Sequence, residues 1–258
     1  LYHWDLPYAL HLQGGWLNPK IPEWVEEYAR AVVDALSDRV TNWITLNEPQ
    51  CFVSTAYHAG RHAPGYQVSD RELALALHNA LLAHGKMVYV IRQFAKRPPK
   101  IGFTQATPLH SIPHTSKPED IEAARKRQFS LEGHFSNTVI TYADPIYKGH
   151  YPDKYLKKYE PILPDIRDED MKLISQKLDY YGINLYGAVY VRADENGQYE
   201  IVSNKPGFAR TAYNWPVTPE AMYWTTRFFF ERYQVPILVT ENGMSGTDWI
   251  HRDGNVHD

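Results

Sequence analysis

The stretch that most constrains this chain runs from Val40 to Gln50, where an alternating and then apolar segment, Trp43-Ile44-Thr45-Leu46, ends abruptly in Asn47-Glu48-Pro49. Such a segment predicts a buried strand that delivers an amide and a carboxylate to the turn at its C-terminal end, where proline, lacking an N–H for the ladder, stops the pairing. The same pattern returns from Val235 to Gly243: a short apolar strand, Ile237-Leu238-Val239-Thr240, closes in Glu241 beside Asn242. Two strands that each end in a glutamate match what cleavage of a glycosidic bond asks for, one carboxyl acting as an acid and another as a nucleophile or base. Taken singly, either glutamate also reads as a cap on the loop that follows it.

Four separate motifs carry a resemblance. His3-Trp4-Asp5-Leu6-Pro7, Thr45-Leu46-Asn47-Glu48-Pro49, Gly182-Ile183-Asn184-Leu185-Tyr186 and Thr240-Glu241-Asn242-Gly243 stand in the order they have in family 1 glycoside hydrolases, the β-glucosidase family. The chain resembles that family over its whole length. The resemblance implies an α/β fold, the (β/α)8 TIM barrel, as one catalytic domain over residues 1–258. The barrel is expected to be incomplete, with about strands three to seven of eight. The family's Gln from strand one, and its Trp, Glu and Trp from the strand-eight region, have no counterpart here.

By the same resemblance Glu48 is the general acid and base and Glu241 the nucleophile of a retaining β-glycosidase. Retention requires the two carboxyls about 5 Å apart, Glu48 protonated at the start and Glu241 ionised. His3 and Trp4 correspond to the sugar-binding face, Asn47 to the residue that binds the 2-hydroxyl, and Tyr186 to a tyrosine that hydrogen-bonds the nucleophile and helps keep it charged. Asn184 stands with Tyr186 at a matching position, although Leu185 replaces the usual tyrosine between them. Trp215 corresponds to a tryptophan near the aglycone; an aromatic before Pro216 also reads as packing, and His3 without the resemblance reads as a surface or core histidine. The implied substrate is a small β-glucoside, an aryl glucoside or a cellobiose-type oligosaccharide, and no cofactor is implied. A 6-phospho-β-glycosidase and a catalytically silent sugar-binding barrel remain as alternatives, with glutamate at 48 favouring ordinary O-glycosides over thioglycosides.

In chain order, Leu1 to Trp4 reads as the end of a strand. Trp24, Tyr28, Ala31, Val32, Ala35 and Leu36 recur at helical spacing after Pro22 and predict a helix with that face inward. Beyond Pro49 a long loop is expected. In it His58 and His62 lie four apart, but Gly60, Pro64 and Gly65 argue against the helix a shared metal would need, so no metal site is assigned. The box Ser69-x-x-Glu72 opens a helix with Leu73, Leu77, Ala80, Leu81, His84, Val88 and Ile91 on one face. Strand 101–106 follows, and a second box at Ser116 predicts a helix to about Tyr142. Residues 144–165 read as a connection without chemistry, followed by a short helix at 168–176. Strand 180–185, a hairpin turning at Asn196-Gly197, a helix from Thr218 with Met222, Thr226, Phe229, Phe230 and Tyr233 inward, and the strand to Glu241 complete the reading. Cys51, three residues past Glu48, is expected to be a buried structural thiol.

A net charge of −3 with 22% charged residues offers no electrostatic footprint for nucleic acid or an anionic membrane. No apolar run approaches the roughly 20 residues of a membrane helix. One cysteine excludes an internal disulfide framework. The chain opens at Leu1, without Met and inside an expected strand end, so targeting is unreadable, a cytoplasmic place is only the default, and oligomeric state stays open. An unclosed barrel exposes two strand edges, so the 258 residues alone are expected to be unstable and inactive.

Overall fold

The computed structural model describes residues 1–107 and 109–256. In chain order its helices and strands are α1 (Tyr8–His11), α2 (Ile21–Leu36), β1 (Asn42–Asn47), α3 (Asp70–Phe94), β2 (Lys100–Ala106), β3 (His110–Pro113), α4 (Pro118–Gln128), α5 (Ile140–Lys148), α6 (Asp153–Tyr159), α7 (Asp168–Ile174), β4 (Tyr180–Asn184), β5 (Ala188–Ala193), β6 (Tyr199–Val202), α8 (Ala221–Tyr233) and β7 (Ile237–Glu241). They fall into two compact units. The first comprises Leu1–Ala106, Phe129–Gly182 and Tyr233–Leu238; the second comprises Thr107–Gln128, Ile183–Arg232 and Val239–Asp258.

A four-stranded sheet has the order β1-β2-β4-β7. β1 and β2 are parallel, with Trp43 opposite Ile101 and Ile44 opposite Gly102. Tyr2 extends the sheet beyond β1 by a single parallel bridge to Leu46: its N–H donates to the Thr45 carbonyl at 3.1 Å and its carbonyl accepts from Asn47 at 3.0 Å. The five expected strand positions are therefore present, the first reduced to one bridged residue. Gly102 has a steric reason: a Cβ there would stand 2.1 Å from the Tyr180 ring, which crosses β2 to donate its hydroxyl to the Trp43 carbonyl on β1 at 2.8 Å.

The core of the first unit gathers around α3. Ser69 and Glu72 form the expected capping box, and every inward residue read from its periodicity is buried. Gly85 lies where a Cβ would sit 2.5 Å from the Leu173 carbonyl, so α3 and α7 approach backbone to backbone there. At 25 residues α3 does reach the length and apolarity of a membrane span, which the reading of apolar runs missed because polar residues punctuate it; most of its apolar window is buried within this unit.

Further expectations are corrected. α2 forms, but its buried face is Ile21, Val25, Ala29 and Val33, packed on α3, while Tyr28, Ala31, Ala35 and Leu36 face solvent. Small Ala29 and β-branched valines permit the closer contact, and both faces of this helix are apolar enough to satisfy a periodicity count. The helix from Ser116 stops at Gln128, and Gly133, at φ 81°, lies in a break before the short turn Phe135–Asn137 and α5. Thr115 rather than Ser116 organises its entrance, donating to Asp120 at 2.6 Å and accepting from the Lys117 N–H at 3.2 Å. Residues Cys51–His58, expected as loop, form a π-helix, continued by Ala59 N–H donating to the Ser54 carbonyl at 2.9 Å.

In the second unit the hairpin β5–β6 pairs antiparallel around Asn196-Gly197, and β3, too short to be read from periodicity, pairs parallel with β5. On α8 the expected inward Phe229 and Tyr233 are buried, together with Phe228, whereas Met222 and Phe230, also expected inward, are exposed.

Candidate active site

In the first unit Glu48 follows β1 directly. Its N–H donates to the Thr104 carbonyl of β2 at 2.9 Å, and its backbone turns into the left-handed region at φ 44°. For a residue with a Cβ this costs on the order of 1 kcal/mol, and such strain concentrates where function fixes a side chain. Glu48 is 7% exposed. The Cys51 thiol donates to Glu48 Oε2 at 3.2 Å, so this half-buried cysteine addresses the carboxylate rather than serving only as core packing.

Asn47, the last residue of β1, donates its side-chain amide to His3 Nε2 at 3.2 Å, while Trp4 Nε1 donates to the Asn47 carbonyl at 2.9 Å. Trp4 itself sits at φ 77°. The structure thus brings His3, Trp4, Asn47 and Glu48 together at the C-terminal end of one strand. Trp4 also borders a cavity of about 350 Å3 with Trp16, Phe52 and Tyr57. His62 packs its ring 5.4 Å from that of Trp4 and does not join His58.

In the second unit Glu241 ends β7, and its Oε2 accepts from the Tyr186 hydroxyl at 2.5 Å. The Leu185 N–H donates to the Glu241 carbonyl at 2.9 Å, and Asn242 donates to the Leu185 carbonyl at 2.7 Å. Asn184, almost fully buried, accepts from the Thr240 hydroxyl at 2.6 Å. Trp215 lies 5.5 Å from Tyr186, ring to ring. Asn184, Tyr186, Trp215 and Glu241 therefore form a second group, and Tyr186 and Asn242 border a cavity of about 470 Å3.

Three supporting residues escaped the sequence reading. Thr240 lay inside a recognised motif but had no assigned partner. Cys51 signalled only its burial. His110 donates from Nε2 to the Asn184 carbonyl at 3.3 Å; full burial pushes its imidazole down to about 4, the carbonyl opposing, so it stays neutral while it holds the end of β4. A lone histidine in a four-residue strand carries no pattern that predicts this.

Comparison with known proteins gives the family of the chain. The family model for glycosyl hydrolase family 1 matches residues 1–258. β-Glucosidase A of Thermotoga maritima is 37% identical over 260 residues, covering all of this chain and 56% of the relative; a 1,4-β-D-glucan glucohydrolase of Thermotoga neapolitana is 36% identical, covering all of this chain and 59% of the relative. The solved structure of the Thermotoga maritima family 1 β-glucosidase in complex with isofagomine lactam superposes with a TM-score of 0.81 at 37% identity, over all of this chain and 56% of that one; its complex with deoxynojirimycin gives the same score. The chain thus spans little more than half the length of these relatives, and its alternating strands and helices are part of a (β/α)8 barrel, in which strand C-terminal ends carry the chemistry. By motif, by fold and by identity over its full length, this chain belongs to glycosyl hydrolase family 1.

Proposed function

We propose that the protein carrying this chain is a retaining β-glycosidase acting on terminal, non-reducing β-D-glucosyl residues. Glu241 attacks the anomeric carbon as the bond to the leaving oxygen breaks, and Glu48 gives that oxygen its proton. Glu48, now a carboxylate, takes a proton from water as the water oxygen attacks the same carbon and releases Glu241. Asn47 binds the 2-hydroxyl, an interaction that strengthens in the oxocarbenium-like transition state, and His3 and Trp4 hold the sugar. Asn184 and Tyr186 fix the nucleophile's surroundings, and Trp215 lies toward the aglycone.

The observation that carries this reading is the Tyr186 hydroxyl donating to Glu241 at 2.5 Å, at the end of a barrel strand. A carboxylate with one oxygen fixed in this way is oriented for attack by the other. The names of the relatives, β-glucosidase and 1,4-β-D-glucan glucohydrolase, support a plain glucoside as substrate. The test is Glu241→Gly on 4-nitrophenyl β-D-glucoside: turnover is lost, and azide restores it with the α-glucosyl azide as product. Undiminished hydrolysis in the variant would remove the assignment. Faster turnover of the 6-phosphorylated glucoside than of the plain one would move it to the phosphoglycosidases.

A further inference from the structure

The π-helix that follows Glu48 ends in His58, and His58 lies against two residues far from it in sequence. Its ring stacks on that of His134, with centroids 3.9 Å apart and planes 19° from parallel. His134 Nε2 is 3.1 Å from Asp70 Oδ1, and its Nδ1 is 2.8 Å from the Ser136 hydroxyl. One donor atom from each of His58, Asp70 and His134 lies within 4.8 Å of the others, and all three residues belong to the first unit.

We propose that His58, Asp70 and His134 bind a divalent transition-metal ion of the zinc class. Two imidazoles and one carboxylate are a donor set that zinc, cobalt and nickel accept and that magnesium and calcium, which take oxygen ligands, do not favour. Imidazole lone pairs lie in the ring plane, so the His58 ring must swing off the His134 ring for both to face one ion.

His134 is prepared for a metal by its other nitrogen. Nδ1 accepts from the Ser136 N–H as the cap of the turn Phe135–Asn137, so Nε2 holds the proton and donates to Asp70. When Nε2 binds an ion, the ring's proton moves to Nδ1, which then gives up the Ser136 N–H and donates to the Ser136 hydroxyl instead. No net proton is lost from the ring. An outer hydrogen bond of this kind fixes the tautomer and orientation of a metal-bound histidine. The three donors must close to roughly 3.3 Å from one another for tetrahedral bonds of about 2.0 Å. His58 and Asp70 are exposed, so their side chains are free to do so. A solvent molecule completes the fourth position. The ion would tie the end of the segment behind Glu48 to the start of α3 and to the residues leading into α5.

The test uses tag-free protein carrying this chain, stripped with chelator and titrated with zinc against a chromophoric competitor. Wild type is expected to take up one equivalent with a dissociation constant of about 10 μM or tighter, near 7 kcal/mol of binding free energy. His58→Asn and Asp70→Asn are each expected to weaken that site at least about tenfold, as ligand and outer-partner losses do; His251→Asn leaves it unchanged. His134 also caps a turn, so the exposed His58 carries the decision. Zinc-edge absorption should show two imidazole nitrogens in the wild type and fewer in His58→Asn. No equivalent bound tighter than about 100 μM, or equal affinity in wild type and His58→Asn, overturns the proposal, and neither outcome bears on glycoside hydrolysis.

Discussion

Tyr186 gives Glu241 its closest described hydrogen bond, 2.5 Å from hydroxyl to carboxylate. Hydrogen bonds to charged groups contribute about 1.5–3 kcal/mol, so Tyr186→Phe is expected to lower kcat/KM on an aryl β-glucoside by roughly ten- to a hundredfold. The loss should appear mainly in kcat, since the partner is the attacking group; a change confined to KM would instead make Tyr186 a contact of the bound sugar. Residues of this kind were legible from sequence because they close strands: Glu48 and Glu241 each end an apolar run, and Tyr186 follows another by two positions. His110 and the Cys51 thiol were not, because their work depends on which strand or turn lies alongside. The Cys51 contact runs through one turn to Glu48 Oε2, and the Asn184 carbonyl reaches His110 across 74 residues.

Among the elements, α3 was read correctly because one face is apolar over its whole length and a capping box marks its start. α2 was misread because two faces satisfy the same count, and the partner helix, not the pattern, chooses between them. Helix α3 also buries a titratable group. His84 accepts or donates at Nδ1 with the Thr45 hydroxyl at 2.7 Å, and complete burial holds its imidazole at about 3, against about 6.5 when exposed. The unfolded chain therefore binds the extra proton throughout that window. This contribution to stability is intact above pH 6.5, falls as the pH drops, and is fully lost near pH 3. Urea unfolding of wild type should lose about 2 kcal/mol from this group between pH 7 and pH 5. His84→Gln should be less stable at pH 7 yet show a shallower pH dependence; parallel curves for the two proteins would show that His84 is not the group responsible.

Sheet packing adds a steric prediction at the same scale. Gly102→Ala places a methyl against the Tyr180 ring and is expected to cost about 3 kcal/mol or more, above the usual overpacking range because the ring is pinned to Trp43. In a Tyr180→Leu background the same substitution should cost much less. Equal costs in the two backgrounds, measured as a double-mutant cycle, would place the strain elsewhere. Sequence showed the glycine but not the crossing ring, since a strand glycine has several explanations until its neighbour is known.

For the whole molecule, the decisive feature is that neither compact unit is a continuous piece of chain. The chain passes between them at 106/107, 128/129, 182/183, 232/233 and 238/239, and three of these crossings fall within single elements: β4, α8 and β7. A strand or helix cannot stay paired at one end and melt at the other without forfeiting the hydrogen bonds at the boundary, so the units are expected to unfold as one cooperative body. Pulsed hydrogen exchange in urea tests this on the protein carrying this chain, by following peptides from α3 in the first unit and from residues 221–232 in the second. Coincident midpoints are the expected result, and Gly102→Ala, though confined to the first unit, should lower both midpoints together. A second-unit midpoint that stays in place while the first one falls would show that the crossings do not couple them. The two glutamates would then be carried by independently melting bodies, Glu48 in one and Glu241 in the other, and activity would be lost at the lower of the two midpoints.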